Sequence, residues 1–517
     1  METQPHSRRH EPVREKKSVF RPARNTCLPF NSFIDEFTGP ARFKSPLGWL
    51  EKTMLKFAKY VSRFPFLTDV QVLSPYSIPA HWQILLNYLY REEMIEAPEF
   101  MFIPRANDLP QSYSVMLALP FNRKEDVRWR VYGYGNALEI EGAYGKAVGE
   151  ALERHILTLY TDDELVHGSY ETLRRQHKNL LNIGHLNAYA PWQKEQDEEF
   201  NADQKTLSWI PGTELLSENK ALIPAQCVFR RYRSKAKSNE PILMDSTTSG
   251  GAGGFTFEEA VLSAVYELVE RDSFFMYWLN TLSPPVIDLQ EMPLQSVAHS
   301  IEARCKQYGL DVYFLDTTSD ISVPSCVCAL VDSRGNEPRV TIGGSSGFDL
   351  EKNFSSSFLE ALSVSNYALD LMKLELPIEY EPFSGNPPIG RMERISFWKG
   401  RQALDRFSFF ISGKKIPVHK SSFYQLARNF KSVAEEYAHV REIFRNKGAG
   451  YELYCYEAAH SVLNRVKYTV VKVIIPKLFP LYLRERSATL DSSRLREAAA
   501  RRGIKKPPLN PWPHPFP

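Results

Sequence analysis

The sequence predicts an α/β (α+β) protein with mixed sheets and a pair of glutamate-bearing helices. Three observations carry that expectation. Strand-type segments, such as SCVCALV from Ser325 and the run ending at Gly133 and Gly135, alternate with stretches of helical periodicity. Glycine-containing segments directly precede two of the helices. Both of those helices carry the pattern Glu-x-x-Glu-Arg, once at Glu150, Glu153 and Arg154 and again 117 residues later at Glu267, Glu270 and Arg271.

The central stretch runs from Asp245 to Trp278. Thr247, Thr248, Ser249, Gly250, Gly251, Gly253 and Gly254 form a segment whose backbone N–H groups can approach an anion without Cβ interference. Thr256 followed by Glu259 is a capping-box signature. Val261, Val265 and Leu268 then recur at helical spacing, with Ala260, Ser263 and Ala264 on a small-residue stripe leading to Glu267 and Glu270. A glycine-rich turn feeding a helix N-terminus suits phosphate, and two carboxylates one turn apart can share a hard cation. The combination points to a magnesium-nucleotide site.

The earlier stretch, Val131 to Tyr160, repeats the theme. A helix is expected from about Glu141 to Leu157, with Gly142, Gly145 and Gly149 on or near one side, a density of helical glycine that implies close approach of a ligand or another backbone. Four carboxylates converging from two helices would repel one another when buried, so the cluster requires divalent cations. Arg154 and Arg271 either contact phosphates or fix the glutamates by forked hydrogen bonds. Glu259 is divided between its capping role and a ligand role.

Composition sets bounds on the rest. With 517 residues and 43% hydrophobic content the chain can bury one large core or two to three domains. A net charge of +3 argues against a dedicated nucleic-acid binder. Six cysteines without a CxxC pair disfavour a disulfide framework or structural zinc, and Cys326 and Cys328 read as buried structural thiols. The N-terminus lacks an apolar signal core, and the run VVKVIIPKLFPLYL from Val470 is broken by lysine and proline. No membrane span is expected, and the reading is a cytoplasmic protein.

The run TSGGAGGFTFEEAVLSAVYELVERD resembles the central motif of the YcaO family, and GKAVGEALER resembles that family's earlier motif. The resemblance implies Glu150, Glu153, Glu267 and Glu270 as Mg2+ ligands around ATP. It implies nucleotide-site roles for Asn136, Arg154, Ser249, Gly250, Glu259 and Arg271. Four segments follow: a basic arm over 1–30, an N-terminal part of the YcaO-like region over 31–120, the ATP-binding catalytic domain over 121–506, and a proline-rich tail over 507–517.

That tail, NPWPHPFP, alternates Pro511, Pro513, Pro515 and Pro517 with Trp512, His514 and Phe516. It should be extended, and on physical grounds alone it could serve as a ligand for an aromatic groove on another protein. A PxPxP ending on a YcaO domain resembles the azoline-forming members, in which the tail enters the active site. The resemblance therefore implies a catalytic role for the Pro517 carboxylate, with Pro511, Pro513 and Pro515 positioning it. The implied activity is ATP-dependent cyclodehydration of Cys, Ser or Thr in a ribosomally made precursor peptide. The implied partner is a leader-peptide-binding protein related to ThiF or to ubiquitin-activating enzymes, and a second copy of this chain is a further candidate. Thioamide or amidine formation, and a degenerate peptide-binding scaffold, are the alternatives.

Three departures from the family pattern stand out. Asn136 occupies a position often held by lysine, and Phe255 one commonly held by asparagine. Glu360 matches a usual acid, yet the glutamine and arginine expected soon after it are not evident between Ser363 and Tyr367. The basic cluster Arg230, Arg231, Arg233, Lys235 and Lys237 reads as a solvated loop, with an acidic peptide contact as the minority reading. A basic helix is expected over SSRLREAAARRGIKK, leading into the tail.

Overall fold

The computed structural model describes residues 80–91, 99–103, 113–120 and 130–516, apart from gaps at 177–178, 203–204, 231, 233–239, 335–338, 371–379, 384–388, 390, 401 and 506. The expected basic arm at 1–30, Arg231, Arg233, Lys235, Lys237 and Pro517 lie outside these residues.

Three sheets organise the described chain. The first is an antiparallel meander of β1 (Glu99–Ile103), β2 (Tyr113–Pro120) and β3 (Arg130–Ala137). The second contains β4 (Val166–Gly168), β5 (Leu207–Glu214), β6 (Asn219–Pro224), β7 (Gly251–Gly254), β13 (Tyr454–Glu457) and β14 (Thr469–Ile474). Its order is β4-β5-β13-β14-β7, with β6 paired to β5. The third is β11 (Val340–Ser346), β10 (Ser325–Val331), β9 (Asp311–Asp316), β8 (Val286–Asp288) and β12 (Lys415–Pro417), antiparallel except for the β8–β12 pair. Strands and helices are mixed, as the sequence predicts.

The helices that position the site are α1 (Ala80–Arg91), α2 (Ile140–Ile156), α3 (Phe257–Trp278), α4 (Leu350–Asp370), α5 (Arg391–Lys399), α6 (Gln402–Ile411), α7 (Val433–Lys447) and α8 (Ser493–Ala500). The α3 helix is the spine. Its start is fixed by the expected capping box: Thr256 Oγ1 accepts from Glu259 N–H at 3.2 Å, and the Glu259 carboxylate accepts from Thr256 N–H at 3.2 Å. Its second half, FFMYW, is buried all round, as expected of a helix enclosed by structure on every side. Phe274, Phe275 and Trp278 enter one core with Phe407, Phe410, Phe479 and Tyr482. Ala260, Val261, Ala264 and Val265 enter another with Val471 and Val473 of β14.

Asp272 locks this helix to the C-terminal region. It accepts from Phe479 N–H at 2.8 Å and from Arg494 Nε at 3.0 Å, and the Arg494 guanidinium also meets Asp320 at 2.6 Å. The expected basic helix is present only as the shorter α8, which ends at Ala500 before the basic RRGIKK part, and its Arg494 is wholly buried and structural. Cys326 and Cys328 are buried in β10, where burial pushes the Cys326 thiol up to about 12 and also raises Cys328 well above the ordinary thiol value. No helix among the described residues is long and apolar enough to cross a membrane.

Candidate functional site

Three strand–helix units converge on one acidic site, and each is built in the same way. In the first, Tyr134 N–H on β3 donates to the Glu150 carboxylate on α2, 16 residues on. In the second, Gly250 N–H immediately before β7 donates to Glu267 on α3 at 3.1 Å, 17 residues on. In the third, Gly344 N–H on β11 donates to Glu360 on α4 at 2.7 Å, 16 residues on. Close packing of helix on strand makes this reach possible. A Cβ on Gly135 would lie 1.8 Å from the Ala143 carbonyl, and one on Gly343 would lie 2.2 Å from that of Ser357. Gly250 has φ +81°, a left-handed conformation that also favours glycine.

The sequence expectation covers two of these units. The third was legible only in part, because Glu360 lacks a following glutamate and arginine. A glycine pair on a strand, followed 16 residues later by glutamate, is the signal that would have found it.

The glutamates face one another. Burial first, and then the charges of Glu267 and Glu150, push Glu153 up to about 8, against the pull of Arg154 and Lys472. Burial also pushes Glu270 up to about 8, with Glu360 and Glu267 adding to it and Arg271 opposing. Glu267 thus stands between the two halves of the cluster. A Cβ on Gly251 would come within 2.5 Å of Glu153 Oε1, and one on Gly344 within 2.5 Å of Glu270 Oε1, so the glycines leave room for the carboxylates themselves.

The cations are distributed around this ring. Arg154 pairs with Glu150 and donates to the Tyr132 carbonyl at 2.7 Å. Arg271 Nη1 approaches Glu270 at 2.8 Å, and Nη2 approaches Glu360 at 3.3 Å. Both arginines contact glutamates of the ring. Lys472, buried on β14, was not anticipated. Its Nζ donates to the carbonyls of Thr247 at 2.9 Å and Ser249 at 2.6 Å, which pins the loop before β7, and its charge faces Glu153 and Glu267. A lysine inside an apolar strand was its only sequence signal.

Other expected positions fall around the rim. Ser249 is buried, and its hydroxyl has no partner in the described structure, as is also true of Thr247. Glu259 accepts from Phe255 N–H and Thr256 N–H, both at 3.2 Å, so capping engages its carboxylate. The Asn136 carbonyl accepts from Lys146 Nζ at 3.0 Å. Phe255 is half exposed and packs with Trp82 and Tyr468, at ring separations of 5.1 and 5.3 Å. Arg230 lies near α2, with its N–H on the Leu157 carbonyl at 2.8 Å. The three helical glycines admit side chains rather than backbone: Gly142 faces Ala137, Gly145 faces Trp82 and Gly149 faces Tyr468.

The proline tail lies in an aromatic groove of its own chain, and this intramolecular docking is the difference from the external-ligand reading. Tyr380 donates to the Pro511 carbonyl, Trp398 Nε1 to that of Pro513 at 3.1 Å, and Arg394 to that of His514 at 3.1 Å. Arg394 is itself paired with buried Glu485 at 2.7 Å. His514 Nε2 donates to the Tyr482 carbonyl at 2.8 Å, and its ring packs edge-on against Phe275. Pro515 is buried. Phe516 is 1% exposed, sits against Phe274, and lies beneath the Arg271 guanidinium at 4.2 Å. The path therefore leads to the glutamate cluster.

The donor set fits magnesium and phosphate. Glu153 Oε1 is buried without a hydrogen bond, and Glu270 Oε1 is buried with the Arg271 guanidinium at 2.8 Å; both are hard oxygen donors beside two unpartnered hydroxyls. Among the described residues no group of three or more acidic, histidine or cysteine side chains is placed to hold a metal ion; Mg2+ is usually held by one or two carboxylates, with phosphate oxygens and water completing the shell.

The chain belongs to the YcaO family: residues 134–479 match the family described as YcaO cyclodehydratase, ATP- and Mg2+-binding. An uncharacterized protein from the tfuA 3' region of Rhizobium leguminosarum bv. trifolii is 26% identical over 200 residues, which cover 38% of this chain and 44% of that protein. Among solved structures, a heterocyclase in complex with substrate and cofactor superposes with a TM-score of 0.63 at 18% identity, over 84% of this chain and 57% of the other. YcaO from Methanopyrus kandleri bound with AMPPCP and Mg2+ superposes with a TM-score of 0.52 at 15% identity, over 78% of this chain and 91% of the other. The chain thus spans less than two thirds of the first two of these proteins.

Proposed function

We propose that this chain is the ATP-dependent cyclodehydratase component that forms thiazoline or oxazoline rings from Cys, Ser or Thr in a ribosomally made peptide. The observation that carries the reading is the docked tail, whose Phe516 rests on Arg271 of the glutamate cluster. A tail brought to an acidic site of this kind suits azoline chemistry, in which a proton must be removed where phosphoryl transfer occurs.

In the proposed reaction a substrate thiol or hydroxyl adds to the preceding amide carbonyl carbon. The resulting oxyanion takes the γ-phosphoryl group of ATP, giving ADP. Loss of phosphate and of the amide N–H proton then creates the ring C=N bond, so the net change is removal of one water as phosphate. Bound Mg2+ would offset charge on the transferring group. Glu150, Glu153, Glu267 and Glu270 would hold it. Arg154 and Arg271 keep the glutamates oriented, Ser249 and Gly250 line the phosphate side, and Glu259 and Asn136 bound the nucleotide region. The Pro517 carboxylate is the proposed base, with Pro511, Pro513 and Pro515 holding the tail extended. A leader-binding protein related to ThiF or ubiquitin-activating enzymes is the proposed partner, and the cytoplasm the proposed site of action.

The test is mass spectrometry of a precursor peptide after incubation with the chain, its partner, ATP and Mg2+. Loss of about 18 Da per ring, the water expelled as phosphate forms, supports the reading. A gain of about 16 Da, from oxygen exchanged for sulfur on the activated amide, would replace it with thioamide formation. Unmodified peptide from a competent complex would leave a binding scaffold.

A further inference from the structure

We propose that the Thr247 hydroxyl is a second phosphate donor beside that of Ser249, and that Lys472 is the positioning residue that presents the pair. The proposal rests on the nucleotide-binding part of the function above. It adds two side chains that the glutamate pattern does not predict, and it gives the buried lysine a task beyond packing.

Distances define the grip. Lys472 Nζ donates to the Thr247 carbonyl at 2.9 Å and to the Ser249 carbonyl at 2.6 Å, so one ammonium group holds two residues of the loop. The carbonyl between them goes elsewhere: that of Thr248 accepts from Gly251 N–H at 2.7 Å, closing a turn in which Gly250 takes φ +81°. Both ends of the loop are tied as well. Asp245 accepts from Leu483 N–H at 2.8 Å and Arg484 N–H at 3.0 Å, and the Gly250 carbonyl accepts from Val473 N–H at 2.7 Å. On this frame Thr247 and Ser249 are buried, 7% and 4% exposed, while Ser246 and Thr248 are more exposed.

Both buried hydroxyls lack a hydrogen-bond partner in the described structure. An unmatched buried hydroxyl is a cost that folded chains rarely leave in place, and two of them on alternate residues of one braced loop point to a shared ligand. Their position narrows its chemistry. Gly250 N–H, the next backbone donor, reaches Glu267 at 3.1 Å, and adding bond lengths puts the Ser249 hydroxyl within about 8 Å of that carboxylate. A phosphate group fits such a gap: its oxygens take Mg2+ at about 2.1 Å on the carboxylate side and hydroxyl donors at about 2.6 Å on the other. The register pairs Lys472 with Gly251, whose missing Cβ makes room for Glu153, so the grip and a carboxylate of the ring share one face of the sheet. Because the lysine holds carbonyls, it leaves the hydroxyls able to rotate onto a phosphoryl oxygen.

The test is equilibrium binding to the full chain, with AMPPCP plus Mg2+ as the probe and AMP as the control, together with thermal unfolding of every variant. Thr247→Val and Ser249→Ala should each weaken AMPPCP about tenfold, as expected for one hydrogen bond to a charged group, and leave AMP nearly unchanged. Lys472→Met should weaken AMPPCP at least as much as either. Adding Thr247→Val to it should weaken binding by less than about twofold more, because a misplaced hydroxyl has no contact left to lose. Lys472→Arg, which keeps donors for both carbonyls, should retain most of the affinity. Thr247→Val removes no buried charge, so it decides the hydroxyl pair even where Lys472→Met does not fold. Wild-type-like AMPPCP binding by Thr247→Val overturns the proposal while leaving the nucleotide reading intact. A full second tenfold loss in the double variant overturns the positioning role and makes Lys472 a charge acting on the glutamates instead. Equal losses for AMPPCP and AMP in Thr247→Val, with a lowered melting temperature, overturn the proposal in favour of packing alone. Failure of the unaltered chain to bind AMPPCP overturns both this proposal and the nucleotide reading.

Discussion

The Arg271 guanidinium lies 4.2 Å from the ring centre of Phe516 while its nitrogens reach Glu270 and Glu360. One side chain thus joins the penultimate residue of the chain to both later members of the glutamate ring. A cation over an aromatic face shielded from water contributes about 1–2 kcal/mol, enough to bias the tail toward its docked position.

Phe516→Ala should therefore separate tail docking from nucleotide binding. Peptide modification is expected to fall at least about tenfold, in line with the loss of that contact. Mg2+–AMPPCP affinity should change by less than about threefold, since the glutamates keep their backbone donors. Peptide mass spectra and calorimetry on the same preparation check the split. Equal loss of both would show that the tail supports the whole site rather than the reaction.

Glu153→Gln should raise apo stability and abolish the response to ligand. Burial, and then Glu267 and Glu150, push the Glu153 carboxyl up to about 8, so folding near neutral pH carries the cost of its protonation and a neutral glutamine avoids that cost. The unfolding midpoint without metal or nucleotide is expected to rise by about 2 °C. The stabilisation that Mg2+–AMPPCP gives the unaltered chain should disappear. Thermal unfolding with and without both ligands reads the two effects together.

Tail docking should weaken in acid. Burial, and then Arg394, hold His514 well below the ordinary histidine value. Above about pH 6.5 the ring is neutral in both the docked and the released tail, and docking is at full strength. Below that, the released tail takes up a proton that the docked tail refuses, so docking is lost progressively toward the low docked-state pKa. Amide exchange of the tail at pH 7.5 and pH 5.5 measures this, and His514→Gln should flatten the difference.

Asp272→Ala should destabilise the chain by about 3 kcal/mol, because it leaves the buried Arg494 guanidinium with Asp320 as its one carboxylate partner among the described residues and Phe479 N–H without its acceptor. A fall in the urea midpoint at unchanged slope is the expected result. Replacement of both partners by apolar residues of similar volume should cost less than the single change.

Much of the site was legible because its chemistry is local in sequence. Glu150, Glu153 and Arg154, and likewise Glu267, Glu270 and Arg271, lie one helical turn apart, and the capping box fixes where α3 begins. Strand β10 declared itself by an uninterrupted apolar run, and it is buried on both faces. Lys472 and Glu360 were harder to see. Each becomes informative only when a partner more than 85 residues away in sequence is brought to it: Glu267 or Ser249 for the lysine, Arg271 for the glutamate.

The sequence by itself determined the two glutamate helices, the glycine turns that feed them and the extended tail, because spacing, capping and proline geometry act within a few residues. Tertiary structure alone decided that a third strand–helix unit joins them, that Lys472 pins the loop at Ser249, and which aromatic groove receives the tail. Those outcomes depend on which faces pack together, and the buried contacts that select them, such as Phe516 on Arg271 or Arg494 on Asp272, span more than 200 residues of chain.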